Sequence, residues 1–145
     1  MAGAAGNPRS RARRAALQAL YQWQMTAEDL DTISAQFRED KSWRRVDEDM
    51  FSALLYGVPG NVETLDAHLE PLLDRPVGQL DPVERAILRM GAFELTHRDD
   101  IPWRVVINEC VELAREFGAE QSHKYVNGIL DNLARRTRDE ARPAG

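Results

Sequence analysis

The sequence predicts an all-α protein, and three observations carry that expectation. Apolar residues recur at helical spacing along nearly the whole chain, proline and glycine stand where helices start and stop, and no segment alternates apolar with polar residues as a strand would. With 145 residues, 43% of them apolar, the chain suits one domain with a substantial core. There is no fixed-period repeat to suggest a solenoid. About seven helices are expected.

The first runs from Ser10 to Met25, where Ala16, Leu17, Leu20, Tyr21, Trp23 and Met25 share one broad arc and Arg11, Gln18 and Gln22 face away. Thr26, with Asp29 three residues on, resembles a capping box whose acid is Asp, and Leu30, Ile33 and Phe37 then form a second stripe. A polar stretch from Arg38 to Arg45 reads as a loop. Asp47 opens a third helix bearing Met50, Phe51, Leu54, Leu55 and Val58. Pro59-Gly60-Asn61 interrupts it, and Val62, Leu65, Leu69, Leu72 and Leu73 continue on another. Arg75-Pro76-Val77-Gly78 reads as a joint between two halves.

Asp81-Pro82-Val83-Glu84 is the clearest local signal: an acid at the N-cap, a proline at the first helical position, and a capping-box glutamate. Val83, Ile87, Leu88, Gly91 and Leu95 make the buried face of that helix. Pro102 starts the next, with Val106, Cys110, Leu113 and Phe117 inward and Gly118 as its stop. The last helix carries Val126, Ile129, Leu130 and Leu133, then frays from Arg135. Flexible tails are expected at 1–8 and 139–145, around one helical domain spanning 9–138.

Several function classes are excluded. Gly57-Val58-Pro59-Gly60 lacks the spacing and the lysine of a phosphate loop. His68, His97 and His123 lie in separate segments with no ligand-like pairing, and Cys110 sits on an apolar stripe as a core thiol. No serine stands in a nucleophile turn. No catalytic residue, metal site or cofactor is expected. With no signal core, no run of 18 apolar residues and a single cysteine, the expected setting is the cytoplasm, away from membranes.

Net charge is −5, yet the first 27 residues contain no Asp or Glu and carry Arg9, Arg11, Arg13 and Arg14. An acidic body repels phosphate at long range, so nucleic-acid binding would need local basic sites aided by base contacts. A loose basic tail would look similar. Helix N-termini favour acids, because their first N–H groups are unpaired and carry the positive end of the dipole. The first helix opens on arginines instead. If Ser122 caps the last helix, His123 and Lys124 fill its first turn, followed by Tyr125. Free N–H groups, a lysine and a serine hydroxyl could hold a phosphate there, and Tyr125 could stack a base. The residues also permit a solvated Lys124 and a Tyr125 half-buried beside Val126, and that alternative stays open.

Longer segments resemble a known family. Arg13-Arg14-Ala15-Ala16-Leu17-Gln18-Ala19-Leu20-Tyr21-Gln22-Trp23-Gln24 is similar to the opening helix of the NusB family, and Val83-Glu84-Arg85-Ala86-Ile87-Leu88-Arg89 to the start of its central helix. Ile107 to Ala114 follows the family pattern INEAIELA. Phe117 to Asp131 follows FGAEDSHKFVNGVLD and is the most specific segment. The register holds from about Arg9 to Arg138.

The resemblance implies two packed helical subdomains and a transcription antitermination factor. With NusE, a ribosomal small-subunit protein, such a factor binds boxA in nascent RNA of ribosomal RNA operons and joins RNA polymerase and other Nus factors. It places RNA contacts on Arg9, Arg11, Arg13 and Arg14 and on Ser122, His123, Lys124 and Tyr125, and a NusE-facing surface on Tyr21 and Glu84. Monomer and homodimer remain open. Departures are Ser10 within the basic run, Arg14 where an acid can occur, Gln121 in place of the usual acid, and Pro59-Gly60 within a helical region. Two other roles suit the same residues: a helical adaptor without RNA affinity, and a stand-alone relative of the RNA-binding domain of an rRNA methyltransferase.

Overall fold

The computed structural model describes residues 6–143. Among them are seven α-helices and no strand, in two compact units that divide between Gly60 and Asn61. The division thus falls earlier than the joint expected at 75–78. Among the described residues no helix is long and apolar enough to cross a membrane.

The first unit holds α1 (Pro8–Thr26), α2 (Leu30–Arg38) and α3 (Glu48–Gly60). α1 begins two residues before the expected Ser10, because Asn7 caps it: its Oδ1 accepts the Ser10 N–H at 2.8 Å, with Pro8 preset for the first turn. Asn7-Pro8 follows the same logic as Asp81-Pro82. α1 ends where Ala27 turns left-handed at φ 57° and donates its N–H to the Trp23 carbonyl at 2.8 Å. Thr26 is therefore the last residue of α1, not a cap, and its hydroxyl donates back to the Gln22 carbonyl. The expected Thr26–Asp29 box is replaced by Asp29 alone, which accepts the Thr32 N–H and caps α2.

Ala12, Ala16 and Ala19 let α1 approach its neighbours closely, with Leu17 and Leu20 beside them, Ile33 from α2, and Met50, Phe51, Leu54, Leu55 and Val58 from α3. Tyr21 and Met25, expected to face inward, are 40% and 55% exposed. They project beyond the arc set by those alanines and leucines. The stretch expected as loop contains a short 3-10 helix, Lys41–Arg45, whose Trp43 packs edge-on to Phe51 at 4.6 Å. Pro59 does not interrupt α3; it sits in the last turn, and the break is the single residue Asn61.

The second unit holds α4 (Val62–Leu69), α5 (Pro82–His97), α6 (Trp103–Phe117) and α7 (Ser122–Thr137). Asp81 caps α5, accepting the N–H groups of Val83 and Glu84 at 3.1 Å each. α5 and α7 meet at Gly91, where a Cβ would lie 2.6 Å from Leu130 Cδ1 and 3.2 Å from Cys110 Sγ, so any larger residue must push the Leu130 side chain aside. Cys110 is buried in this core, as its stripe position predicts.

Fraying does not begin at Arg135. α7 continues to Thr137, and Arg138, 4% exposed, plugs the far end of α5. Its guanidinium donates to the carbonyls of Glu94 (3.1 Å), Leu95 (2.8 Å), Arg98 (2.9 Å) and Ile101 (3.0 Å). These include carbonyls that a helix terminus leaves without intrahelical partners. Asp139–Ala141 then forms a 3-10 turn with Ala141 buried. Of the expected tails, Met1–Ala5, Ala144 and Gly145 lie outside the described residues.

Candidate RNA interface

In the first unit, the start of α1 separates the four arginines by role. Neither Arg9 nor Arg11 is buried: Arg9 Nε lies 3.8 Å from Asp47 Oδ2, and Arg11 Nε donates to the Gly6 carbonyl at 3.3 Å. Arg14 is half-buried. Arg13 is 2% exposed and belongs to the core side of α1. A guanidinium so enclosed cannot reach a phosphate without leaving its site. The first turn contains no acid, so the positive end of the helix dipole and the reachable arginines add. Tyr21 is exposed further along α1.

In the second unit, α7 begins one residue earlier than a Ser122 cap would require. Gln121 is the N-cap and its side chain makes no capping bond, while Ser122 is the first helical residue. Ser122 is 5% exposed and donates its hydroxyl to Glu84 Oε2 at 2.5 Å. Two residues singled out for different partners thus engage each other. Glu84 does not close a reciprocal capping box on α5; its carboxylate crosses to α7 instead. Gly118 makes the approach possible, because a Cβ there would lie 2.9 Å from Ser122 Cβ and 2.7 Å from the Ala114 carbonyl oxygen.

Two of the backbone N–H groups at this start are already bonded, Ser122 to the Ala119 carbonyl at 3.0 Å and Lys124 to the Gln121 carbonyl at 3.2 Å. An anion here would depend on the exposed Lys124 more than on an open set of N–H donors. His123 is half-buried, and the first turn holds no acid.

Tyr125 is half-buried, against residues far from it in sequence. Its hydroxyl donates to Asp74 Oδ1 at 2.8 Å and lies 3.4 Å from the Asp74 N–H. The same carboxylate takes a two-pronged contact from Arg75, Nε to Oδ1 at 2.9 Å and Nη2 to Oδ2 at 3.0 Å. Arg75 lies over the Tyr125 ring, 5.7 Å from its centroid. Hydrogen bonds from Arg75 and then Tyr125 hold the Asp74 carboxyl down at about 2. Burial, followed by the bond to Asp74, pushes the Tyr125 hydroxyl above its ordinary value. The only sequence signal for this cluster is Tyr125 standing where the family pattern has Phe, which adds a hydroxyl in need of a partner.

A sequence model of the NusB family matches residues 10–135. The transcription antitermination protein NusB of Alcanivorax borkumensis is 57% identical over 130 residues, covering 90% of this chain and 87% of that protein. That of Alkalilimnicola ehrlichii is 54% identical over 144 residues, covering 88% and 81%. Among solved structures, T. maritima NusB matches with a TM-score of 0.79 at 33% identity, over 93% of this chain and 96% of that one. A crystal structure of antitermination factors NusB and NusE in complex with dsRNA matches with a TM-score of 0.77 at 25% identity, over 88% and 96%. The helices, their buried faces and these matches agree along nearly the whole length, and the chain belongs to the NusB family.

Proposed function

We propose that this chain is a cytoplasmic transcription antitermination factor that binds boxA RNA of ribosomal RNA operons together with NusE, in a complex with RNA polymerase and other Nus factors. The observation that carries the reading is its similarity, over 88% of its length, to a NusB crystallised with NusE and RNA. The names of relatives more than half identical to it support the same role.

Within that reading, Arg9, Arg11 and Arg14 meet phosphates from the first unit, and Lys124 does so from the second. Tyr125 offers its ring to a base, and His123 stands in the same first turn of α7. Arg13 and Ser122 act through position: Arg13 packs within the core side of α1, and Ser122 fixes the start of α7 against Glu84. Tyr21 presents an exposed aromatic surface suited to NusE, and Glu84, half-buried, reaches NusE only with its remaining oxygen.

A net charge of −5 makes the chain a weak RNA binder alone, whereas ribosomal proteins are typically basic. Titrating boxA RNA with and without saturating NusE tests the reading. The expected result is an apparent Kd at least tenfold lower with NusE, about 1.4 kcal/mol of coupling. Equal affinity in both arms would remove NusE from the mechanism, and no binding in either would leave a helical adaptor.

A further inference from the structure

Neither Asp74 nor Arg75 has been given a binding role, yet both engage Tyr125. Three hydrogen bonds converge on one carboxylate: one from the Tyr125 hydroxyl and two from the Arg75 guanidinium. The carboxylate joins the ring's hydroxyl and the guanidinium above the ring through one shared acceptor. An exposed ion pair between adjacent residues contributes little to stability by itself. Its effect here is to park a flat cation over the aromatic face that a base would use.

We infer that Arg75 is a further RNA-contacting residue, the second jaw of a clamp that holds one unpaired base against Tyr125, with Asp74 as the positioning residue of both jaws. This rests on the proposed RNA-binding role. The chemistry favours a base over a phosphate. Asp74 already neutralises Arg75, so little net charge remains to attract an anion, whereas the planar guanidinium still offers a stacking surface. A base between two stacked planes needs roughly two intervals of about 3.4 Å, near 7 Å in all. The guanidinium carbon lies 5.7 Å from the ring centroid, short of that span, so the guanidinium must move outward to admit a base. Arg75 is half exposed and able to make that shift.

The clamp also gives Tyr125 a reason to depart from the family's Phe. A Phe could stack, but it could not be tied to Asp74. In this chain the base would meet a ring whose orientation is set beforehand, which lowers the ordering cost of binding.

The test uses full-length protein with NusE and single-stranded boxA RNA carrying 2-aminopurine at one position at a time. One position should show strong stacking quench with the parent protein. Arg75→Ala should weaken affinity about tenfold and relieve the quench at that position alone, with the log–log salt slope unchanged. Asp74→Asn should produce a smaller loss with partial relief, and Arg75→Lys, which lacks the plane, should resemble Arg75→Ala. A slope lowered by about 0.7 would mean that Arg75 meets a phosphate, overturning the clamp. Unchanged affinity and quench in Arg75→Ala would overturn it too, while leaving RNA binding by the chain intact. Failure of the parent protein to bind the RNA at all would overturn both readings.

Discussion

Ser122 donates its hydroxyl to Glu84 at 2.5 Å, tying the first residue of α7 to the first turn of α5. The contact sets the height at which Lys124 and Tyr125 are presented, because both follow within one turn of the same helix. A hydrogen bond to a charged acceptor contributes about 1.5–3 kcal/mol. Ser122→Ala is therefore expected to lower stability by about 2 kcal/mol in urea titration and to weaken RNA binding only modestly. Glu84→Gln, which keeps an acceptor oxygen, should cost less than half as much. If Ser122→Ala abolished RNA binding with stability unchanged, the hydroxyl would be a direct RNA contact.

Three of the four N-terminal arginines divide into two experiments. Arg9→Ala with Arg11→Ala should reduce the log–log salt slope of RNA binding by about 1.4, two single-strand phosphate contacts at about 0.7 each. Arg13→Ala should leave the slope alone and lower stability by about 2 kcal/mol, because it truncates an enclosed charged side chain. A slope change from Arg13→Ala would mean that the side chain leaves the core to reach the RNA.

Gln121 caps α7 without a side-chain bond, where the family pattern has an acid. Asp in its place could accept from a first-turn N–H and gain about 0.5–2 kcal/mol of stability. It would also face any phosphate held by Lys124. Charges about 6–8 Å apart interact by roughly 2 kcal/mol at an effective dielectric near 20, before salt reduces it. Gln121→Asp is thus expected to bind RNA several-fold more weakly at low salt with an equal or higher melting temperature. RNA binding as tight as the parent's would place the phosphate elsewhere.

Removal of the Arg138 guanidinium leaves four carbonyls at and beyond the end of α5 without their shared donor. Arg138→Ala is expected to cost about 3 kcal/mol, a fall of roughly 6–12 °C in melting temperature. Arg138→Lys should recover less than half, since an ammonium lacks the planar fork. A melting point within about a degree of the parent's would show that water replaces the guanidinium.

Helix identity was legible because the stripes on α3, α5, α6 and α7 are strongly periodic and Asp81-Pro82 marks a start without ambiguity. Chain ends of helices were less legible. Asn7-Pro8 carries the same signal as Asp81-Pro82, but the arginines that follow it are unfavourable in a first turn and mask the start. Ala27 ends α1 in a conformation that no residue type other than glycine or asparagine announces. The candidate site was legible as two segments of unusual charge, and its wiring was not. Glu84 to Ser122 spans 38 positions and Tyr125 to Asp74 spans 51, and no local rule connects residues so far apart. Arg13 and Arg14 look alike in sequence, and only the helical phase on the packed α1 separates the buried one from the reachable one.

The Arg138 plug also has a consequence in time. Glu94 and Arg138 are 44 positions apart, so at about 5–20 residues per second a ribosome needs roughly 2–9 s to pass from one to the other. Throughout that interval the end of α5 has only its local bonds, Arg98 N–H to the Glu94 carbonyl and Ile101 N–H to the Arg98 carbonyl, and lacks the guanidinium that joins all four carbonyls. The caps and core side chains of α1 to α3, by contrast, are all synthesised by residue 60. Vectorial synthesis therefore imposes an order on this molecule: the first unit can consolidate while the second still waits for one arginine to emerge.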